Sequence, residues 1–379
     1  MKIAFYAPLK NPEHSTPSGD RSIARLFMSA LIKEEHEIFL ASKFRSYNKS
    51  PEEQIKIKKK SKREVEKFLD IYENNLPEVW FTYHLYYKAP DYLGPIISKL
   101  LSIPYIIAEA SYSPKRNKDN WKFGNQEVLS AIKSADGIFH LNTQDIDCIN
   151  PILNNTAKTF YIPPFINHKK FSVEHKEKKI IKKKLTKKIG IPSDTVLLLT
   201  VAMMRNDNSK LPSYMFLSQV LQFVKKDFYL LVAGDGESRN SIFQILNKST
   251  KKKVKFFGAL KEKQLLELYK AADIFVWPGI NEAFGISYLE AQSAKLPVIA
   301  NNFGGISNML KMNETGFLIK QNDKENFAKN IDLLIQNTNL RQSMGTNGSF
   351  FVKNERSLES ASKDIHKAII QVSCNFKCG

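Results

Sequence analysis

The stretch Glu282-Ala-Phe-Gly-Ile-Ser-Tyr-Leu-Glu290 holds two carboxylates eight residues apart, on a segment that reads as a helix opening at a glycine. With about 1.5 Å of rise per helical residue, the pair spans at most roughly 12 Å, the sugar-to-ribose scale of a nucleotide sugar. Between them the amides of Phe284, Gly285 and Ile286 are expected to face a diphosphate, because a helix start carries unpaired N–H groups and a partial positive charge. The plain alternative has Glu282 capping the helix and Glu290 solvated on its surface.

Such a pair needs a scaffold that delivers it to a ligand. AADIFVWPG, residues 271–279, is an apolar run that stops at Pro278-Gly279 and reads as a buried parallel strand leading into a loop. Ligands of open α/β sheets sit outside the carboxyl ends of the strands, which is where Glu282 falls. Upstream, VAMMRNDNSK ends another strand and supplies Arg205 and Lys210, two cations suited to a leaving diphosphate.

The chain here resembles the retaining glycosyltransferases of family 4, which have the two-domain GT-B architecture and carry an E-x7-E pair. Further likenesses are LPVIANNFGGISNML, NETGFLI, the Arg205-x4-Lys210 pair, VAGDGE and VKFFGAL. Ordered coincidence over about 150 residues is far more specific than any one motif. The resemblance implies that Glu282 binds hydroxyls of the transferred sugar, Glu290 the ribose, and the amides of Phe284, Gly285 and Ile286 the diphosphate. It also implies that Gly234, Gly236, Gly258 and Leu260 lie by the base, and that transfer proceeds with retention. Arg205, Lys210 and Glu282 are the catalytic candidates. No cofactor is expected beyond the substrate nucleotide sugar, a UDP- or GDP-sugar for instance. The cation pair is expected to replace a divalent metal, and Asp145-Ile-Asp147, the one pair with metal-binding spacing, reads as an acidic helix start.

The amino-terminal half departs further from that family. Pro17-Ser18-Gly19-Asp20-Arg21 stands where relatives have a glycine-rich turn, and only Gly19 remains of the pair to approach the donor phosphates. Asp20 and Arg21 are acceptor-side candidates. So are Glu109, in place of the imidazole that relatives have after this strand, and His84 at the end of EVWFTYH. Asn308 stands where many relatives have glutamate, and the PPFINH segment departs from their Asn-Gly-Val-Asp turn.

A chain of 379 residues exceeds the roughly 250 to 300 at which a single core splits, so two domains are expected. Six apolar runs from MKIAFYAP to KTFYIPP and six from TVLLLTVAMM to GFLIK alternate with helix-compatible stretches, which indicates two doubly wound α/β domains facing a cleft. The expected division is an acceptor-side domain over residues 1–168, a basic linker and first helix over 169–190, and a nucleotide-sugar domain over 191–356. A closing helix is expected over 357–379, and the resemblance implies that it crosses back to the first domain.

The formal charge is +19, and residues 169–188 hold ten lysines against two glutamates. Biased composition is one reading; attraction to an anionic membrane face is the other. Nucleic acid is not expected, because no aromatic residues interleave with the lysines as stacking platforms. No apolar run reaches the roughly 18 residues that cross a bilayer, and the amino terminus lacks a secretory pattern, so a cytoplasmic location is expected, at most peripheral to the membrane. Cys148 reads as structural; Cys374 and Cys378 lack a second ligand pair for zinc and suggest a frayed tail.

The partners expected are a nucleotide-sugar donor and a sugar or lipid-linked acceptor of the cell envelope. Two competing functions carry weaker support. A dinucleotide-dependent oxidoreductase needs G-x-G-x-x-G after the first strand, and nothing of that kind follows MKIAFYAP. A noncatalytic basic protein binding anionic surfaces leaves the co-occurrence of Arg205, Lys210, Glu282 and Glu290 without a reason.

Overall fold

The structure is a computed structural model that describes the chain except Pro17, Gln144 and Gly379 and the side chain of Cys378. Pro17 of the Gly19 turn and the second cysteine of the carboxyl-terminal pair thus fall outside the described residues. The chain divides into two compact units, Met1–Pro163 with Leu358–Gly379, and Pro164–Ser357.

The first unit is built on a parallel sheet of β1 (Lys2–Tyr6), β2 (Glu37–Leu40), β3 (Val79–Leu85), β4 (Tyr105–Ala110), β5 (Gly137–His140) and β6 (Lys158–Tyr161). Their order is β2-β1-β3-β4-β5-β6. β1 and β3 are almost wholly buried, which fits their near-continuous apolar sequences, since a parallel sheet is covered on both faces. Helix Gly19–Lys33 buries Ile23, Ala24, Phe27, Ala30 and Leu31, a stripe of helical period. Phe27 packs on Phe81 and Tyr83 of β3 at ring separations of 5.7 and 5.5 Å.

The closing helix belongs to this unit. It runs from Leu358 to Cys378, so the expected start at 357 moves by one residue and the expected fraying gives way to helix. The reason is packing: Ile365, Ala368, Ile369 and Val372 continue one apolar face, and all are buried. Ser362 donates to Glu34 at 2.6 Å, and His366 lies 3.0 Å from His36. Cys148 and Cys374 are both free and exposed, so the structural role expected of Cys148 has no packing behind it.

In the second unit β7 (Leu197–Val201), β8 (Tyr229–Ala233), β9 (Val254–Gly258), β10 (Ile274–Val276), β11 (Val298–Asn301) and β12 (Gly316–Ile319) form a parallel sheet in the order β12-β11-β10-β7-β8-β9. All twelve runs read as strands in the sequence are strands. The basic stretch expected as linker and first helix carries helix His175–Ile189, which follows the start of this unit. Among the described residues, no helix is long and apolar enough to cross a membrane.

Candidate functional site

Each sheet has a point where the strand order reverses, and the crevice outside the carboxyl ends there is where doubly wound folds bind ligands. In the second unit that point lies between β7 and β10, and the residues following these two strands meet. Lys210, nine residues past β7, donates from its ammonium to Glu282 Oε2 in a short ion pair. Both side chains are largely withdrawn from water, 12% and 17% exposed, and the ammonium also lies 5.7 Å from the ring centre of Trp277.

The loops that present this pair are fixed by their own polar groups. Asp207 Oδ1 accepts from the amides of Ser209, at 3.0 Å, and Lys210, at 2.6 Å, so an Asx turn starts helix Lys210–Phe223 and aims Lys210. Asp207 Oδ2 lies 3.3 Å from Arg205 Nε, whose side chain is 59% exposed. Across the reversal, the Ile280 amide donates to Ser213 Oγ at 2.9 Å and Asn281 Nδ2 to the Asn208 carbonyl at 2.8 Å. Arg205 and Lys210 therefore each have a carboxylate partner of their own.

Gly285 has φ +67° and precedes helix Ile286–Ser293 directly; a Cβ there would lie 2.6 Å from Tyr288 Cε2 and 3.3 Å from Glu282 Cγ, so glycine is required by conformation and by space. Phe284 is buried and Ile286 half-buried. Glu290 is half-buried rather than solvated: the Tyr269 hydroxyl donates to it at 2.7 Å, and burial raises its carboxyl above the ordinary range although that hydrogen bond opposes the rise. Gly234, with φ +144°, passes so near the Ala202 carbonyl that a Cβ would fall 1.8 Å from it, and its amide donates to Gly258 at 2.9 Å. Gly236 also runs close to the Met204 carbonyl, 2.5 Å from where its Cβ would be. These glycines stitch together the ends of β7, β8 and β9, and Leu260 lies half-buried two residues beyond β9.

In the first unit the reversal falls between β1 and β3. Asp20, in the first turn of the helix after β1, lies 3.1 Å from His84 Nδ1 at the end of β3, and Glu109 near the end of β4 lies 3.9 Å from the same nitrogen. His84 and Glu109 hold φ +61° and +60°, a conformation that non-glycine residues seldom adopt, and such strain collects at functional positions. Glu109 Oε2 and the Tyr83 hydroxyl are buried without a hydrogen-bond partner among the described residues.

Burial disfavours charge on His84, but Glu109, the hydrogen bond to Asp20 and the charges of Asp20 and Asp145 outweigh it and raise the imidazole to about 9. Burial likewise raises Glu109, against the pull of His84. It acts on Asp20 in the same direction, yet the His84 contact holds that carboxyl below its ordinary value. Gly19 opens helix Gly19–Lys33 with Ser18 Oγ accepting from the Arg21 amide, and apart from its chain neighbours and its own helix no described atom lies within 4 Å of where its Cβ would be. Arg21 is taken up by the loop, donating to the His14 and Ser15 carbonyls at 2.9 and 3.0 Å.

Several residues escaped the sequence reading. Asp207 had a local signal, the turn-forming Asp-Asn-Ser, whereas Ser213, Trp277 and Tyr269 act through partners that only the fold brings near. Among the described residues, no group of three or more His, Cys, Asp or Glu is placed to hold a metal ion.

The glycosyl transferases group 1 family matches residues 182–349. An uncharacterized glycosyltransferase of Methanocaldococcus jannaschii is 26% identical over 177 residues, 46% of this chain and 45% of that protein, so the likeness spans under half of that relative. The UDP-Gal:alpha-D-GlcNAc-diphosphoundecaprenol alpha-1,3-galactosyltransferase of Escherichia coli is 24% identical over 279 residues, 70% of this chain and 69% of that one. Sucrose-phosphate synthase from Thermosynechococcus elongatus has a similar fold, with a TM-score of 0.76, 17% identity and 98% of each chain covered. Strand order and these likenesses agree: the second unit carries a stretch that matches the glycosyl transferases group 1 family, and the two parallel sheets have the fold of GT-B glycosyltransferases.

Proposed function

We propose that the protein is a retaining glycosyltransferase of family 4 that moves a sugar from a nucleotide-sugar donor to a hydroxyl of a glycan or lipid-linked acceptor, without a divalent metal. The observation that carries this reading is the Lys210–Glu282 pair at the reversal of the second sheet. In the reaction the bond from the anomeric carbon to the diphosphate oxygen breaks and negative charge gathers on that oxygen. The Lys210 ammonium, the exposed Arg205 guanidinium and the amides at Phe284, Gly285 and Ile286 are the groups to meet that charge. Glu282, drawing on its tie to Lys210, orients hydroxyls of the transferred sugar.

The acceptor oxygen forms the new bond on the same face, and its proton passes to the departing diphosphate oxygen. Retention follows from that front-side route. No protein nucleophile is used. His84 and Glu109 hold the acceptor hydroxyl: the imidazolium is fixed by two carboxylates, while Glu109 keeps one oxygen without a hydrogen bond. An envelope acceptor is favoured by the relative from Escherichia coli, whose name gives a diphosphoundecaprenol-linked substrate. Location at the cytoplasmic membrane face fits such a substrate and the basic charge.

Incubation with UDP-, GDP- and ADP-sugars will release nucleotide or transfer sugar at a rate unchanged by EDTA. Loss on chelation, restored by Mg²⁺ or Mn²⁺, contradicts the metal-free reading.

Lys210→Ala and Glu282→Ala are each expected to lower turnover by about 100-fold or more. Each leaves a mostly buried charge unpaired and is expected to lose up to about 3 kcal/mol of stability, whereas the double variant loses less than the sum. Strict additivity in denaturant unfolding, or near-normal turnover in either single variant, contradicts the assignment.

The His84 imidazolium persists through neutral pH and is lost as pH rises through about 9. Because its folded value lies above the ordinary 6.5, its contribution to stability is present in full below that value and disappears over the same rise. A rate–pH profile will therefore fall toward alkaline pH in the native protein, and His84→Gln will be roughly tenfold slower or worse, without that alkaline limb. Identical profiles for both proteins rule out the role given to His84.

A further inference from the structure

Helix His175–Ile189 presents His175, Lys178, Lys179, Lys182 and Lys183 to a cavity of about 370 Å³. These positions are i, i+3, i+4, i+7 and i+8, which lie on one face of a helix. That face is cationic. The same cavity is lined by Lys295 and Arg341, and its one carboxylate among the described residues is Asp273. Asp273 directly precedes β10 and accepts from the Leu197 amide at 2.8 Å, so the cavity lies at the amino ends of β7 and β10, the opposite end of the sheet from Lys210 and Glu282.

The one carboxylate is already engaged, since Lys182 donates to it at 2.6 Å. Lys295 turns to the exposed Glu174, and Lys179 and Lys183 form no ion pair among the described residues. Lys178 donates to the Ala294 carbonyl at 3.3 Å; burial, reinforced by Lys182, Arg341 and Lys295, brings its ammonium down to about 7 against the pull of Asp273. The guanidinium of Arg341 is held by the Leu334 and Ile335 carbonyls and the Thr338 hydroxyl, which orients its planar donors without neutralising them. Convergent cations of this number repel one another, and an anion with several acceptor oxygens relieves the repulsion.

We infer that this cavity is a second, noncatalytic anion site that takes a phosphate or diphosphate group, separate from the donor site. Its volume accommodates such a group, and the mixture of lysine point charges with one fixed guanidinium suits phosphate oxygens. The phosphate can come from a soluble compound or from a phospholipid headgroup, and further lysines of the same helix at 176, 184, 187 and 188 extend the field outward.

The probe is inorganic pyrophosphate, measured by calorimetry on the full chain, beside vesicles of phosphatidylcholine with and without phosphatidic acid. The paired substitution Lys179→Glu with Lys183→Glu changes exposed, unpaired residues, and Arg341→Gln removes the fixed guanidinium. Pyrophosphate affinity is expected to fall at least tenfold in the lysine variant and severalfold in Arg341→Gln, with nucleoside-diphosphate binding and sugar transfer unchanged in the lysine variant. Flotation with phosphatidic acid vesicles that these substitutions abolish assigns a lipid headgroup. Pyrophosphate binding without flotation assigns a soluble phosphate. Pyrophosphate affinity equal in native and lysine-variant protein overturns the inference, whether transfer is intact or lost.

Discussion

A carboxylate and an ammonium withdrawn from water at the strand-order reversal of the second sheet set the terms for that unit. Desolvating both groups is costly, and the cost is offset only if they remain in register. That condition makes the surroundings of Lys210 and Glu282 rigid: an Asx turn at Asp207 fixes where the helix after β7 begins, Ser213 and Asn208 tie down the loop after β10, and left-handed Gly285 turns the chain into the next helix. A donor approaching such a pair finds both charges preformed, so little reorganisation is required when charge develops on a leaving group.

The first unit solves a related problem with different residues. Its reversal lies between β1 and β3, and there the imidazole of His84 is held between Asp20 and Glu109 on backbone that non-glycine residues rarely adopt. Burial and neighbouring charge oppose one another on each group, which gives an imidazolium that survives neutral pH beside a carboxyl raised by desolvation. Strain, charge and an unsatisfied oxygen in one place are the marks of a position kept for chemistry rather than stability.

Much of this was legible in the sequence because strand runs in parallel sheets are apolar and uninterrupted, and because Glu282, Lys210 and Gly285 sit at fixed distances from strand ends. What escaped notice depends on distant partners. Asp20 and His84 are 64 residues apart, and nothing local in either foretells the contact. Glu290 looked like a solvated helical residue or a ribose ligand, and its hydroxyl partner, Tyr269, comes from another helix. The lysine-rich stretch read as a linker with a first helix, and helix His175–Ile189 lies there, but that one face of it lines a cavity has no local signal. The carboxyl terminus, expected to fray, stays helical because its apolar stripe is long enough to pack on the first unit.

Amide hydrogen exchange followed by mass spectrometry, with and without the nucleoside diphosphate that turnover selects, tests the central claim most directly. The Lys210–Glu282 account predicts slower exchange in peptides spanning residues 203–212 and 280–290, and loss of that protection in Lys210→Ala. Protection confined to other segments, or retained in full without Lys210, contradicts it.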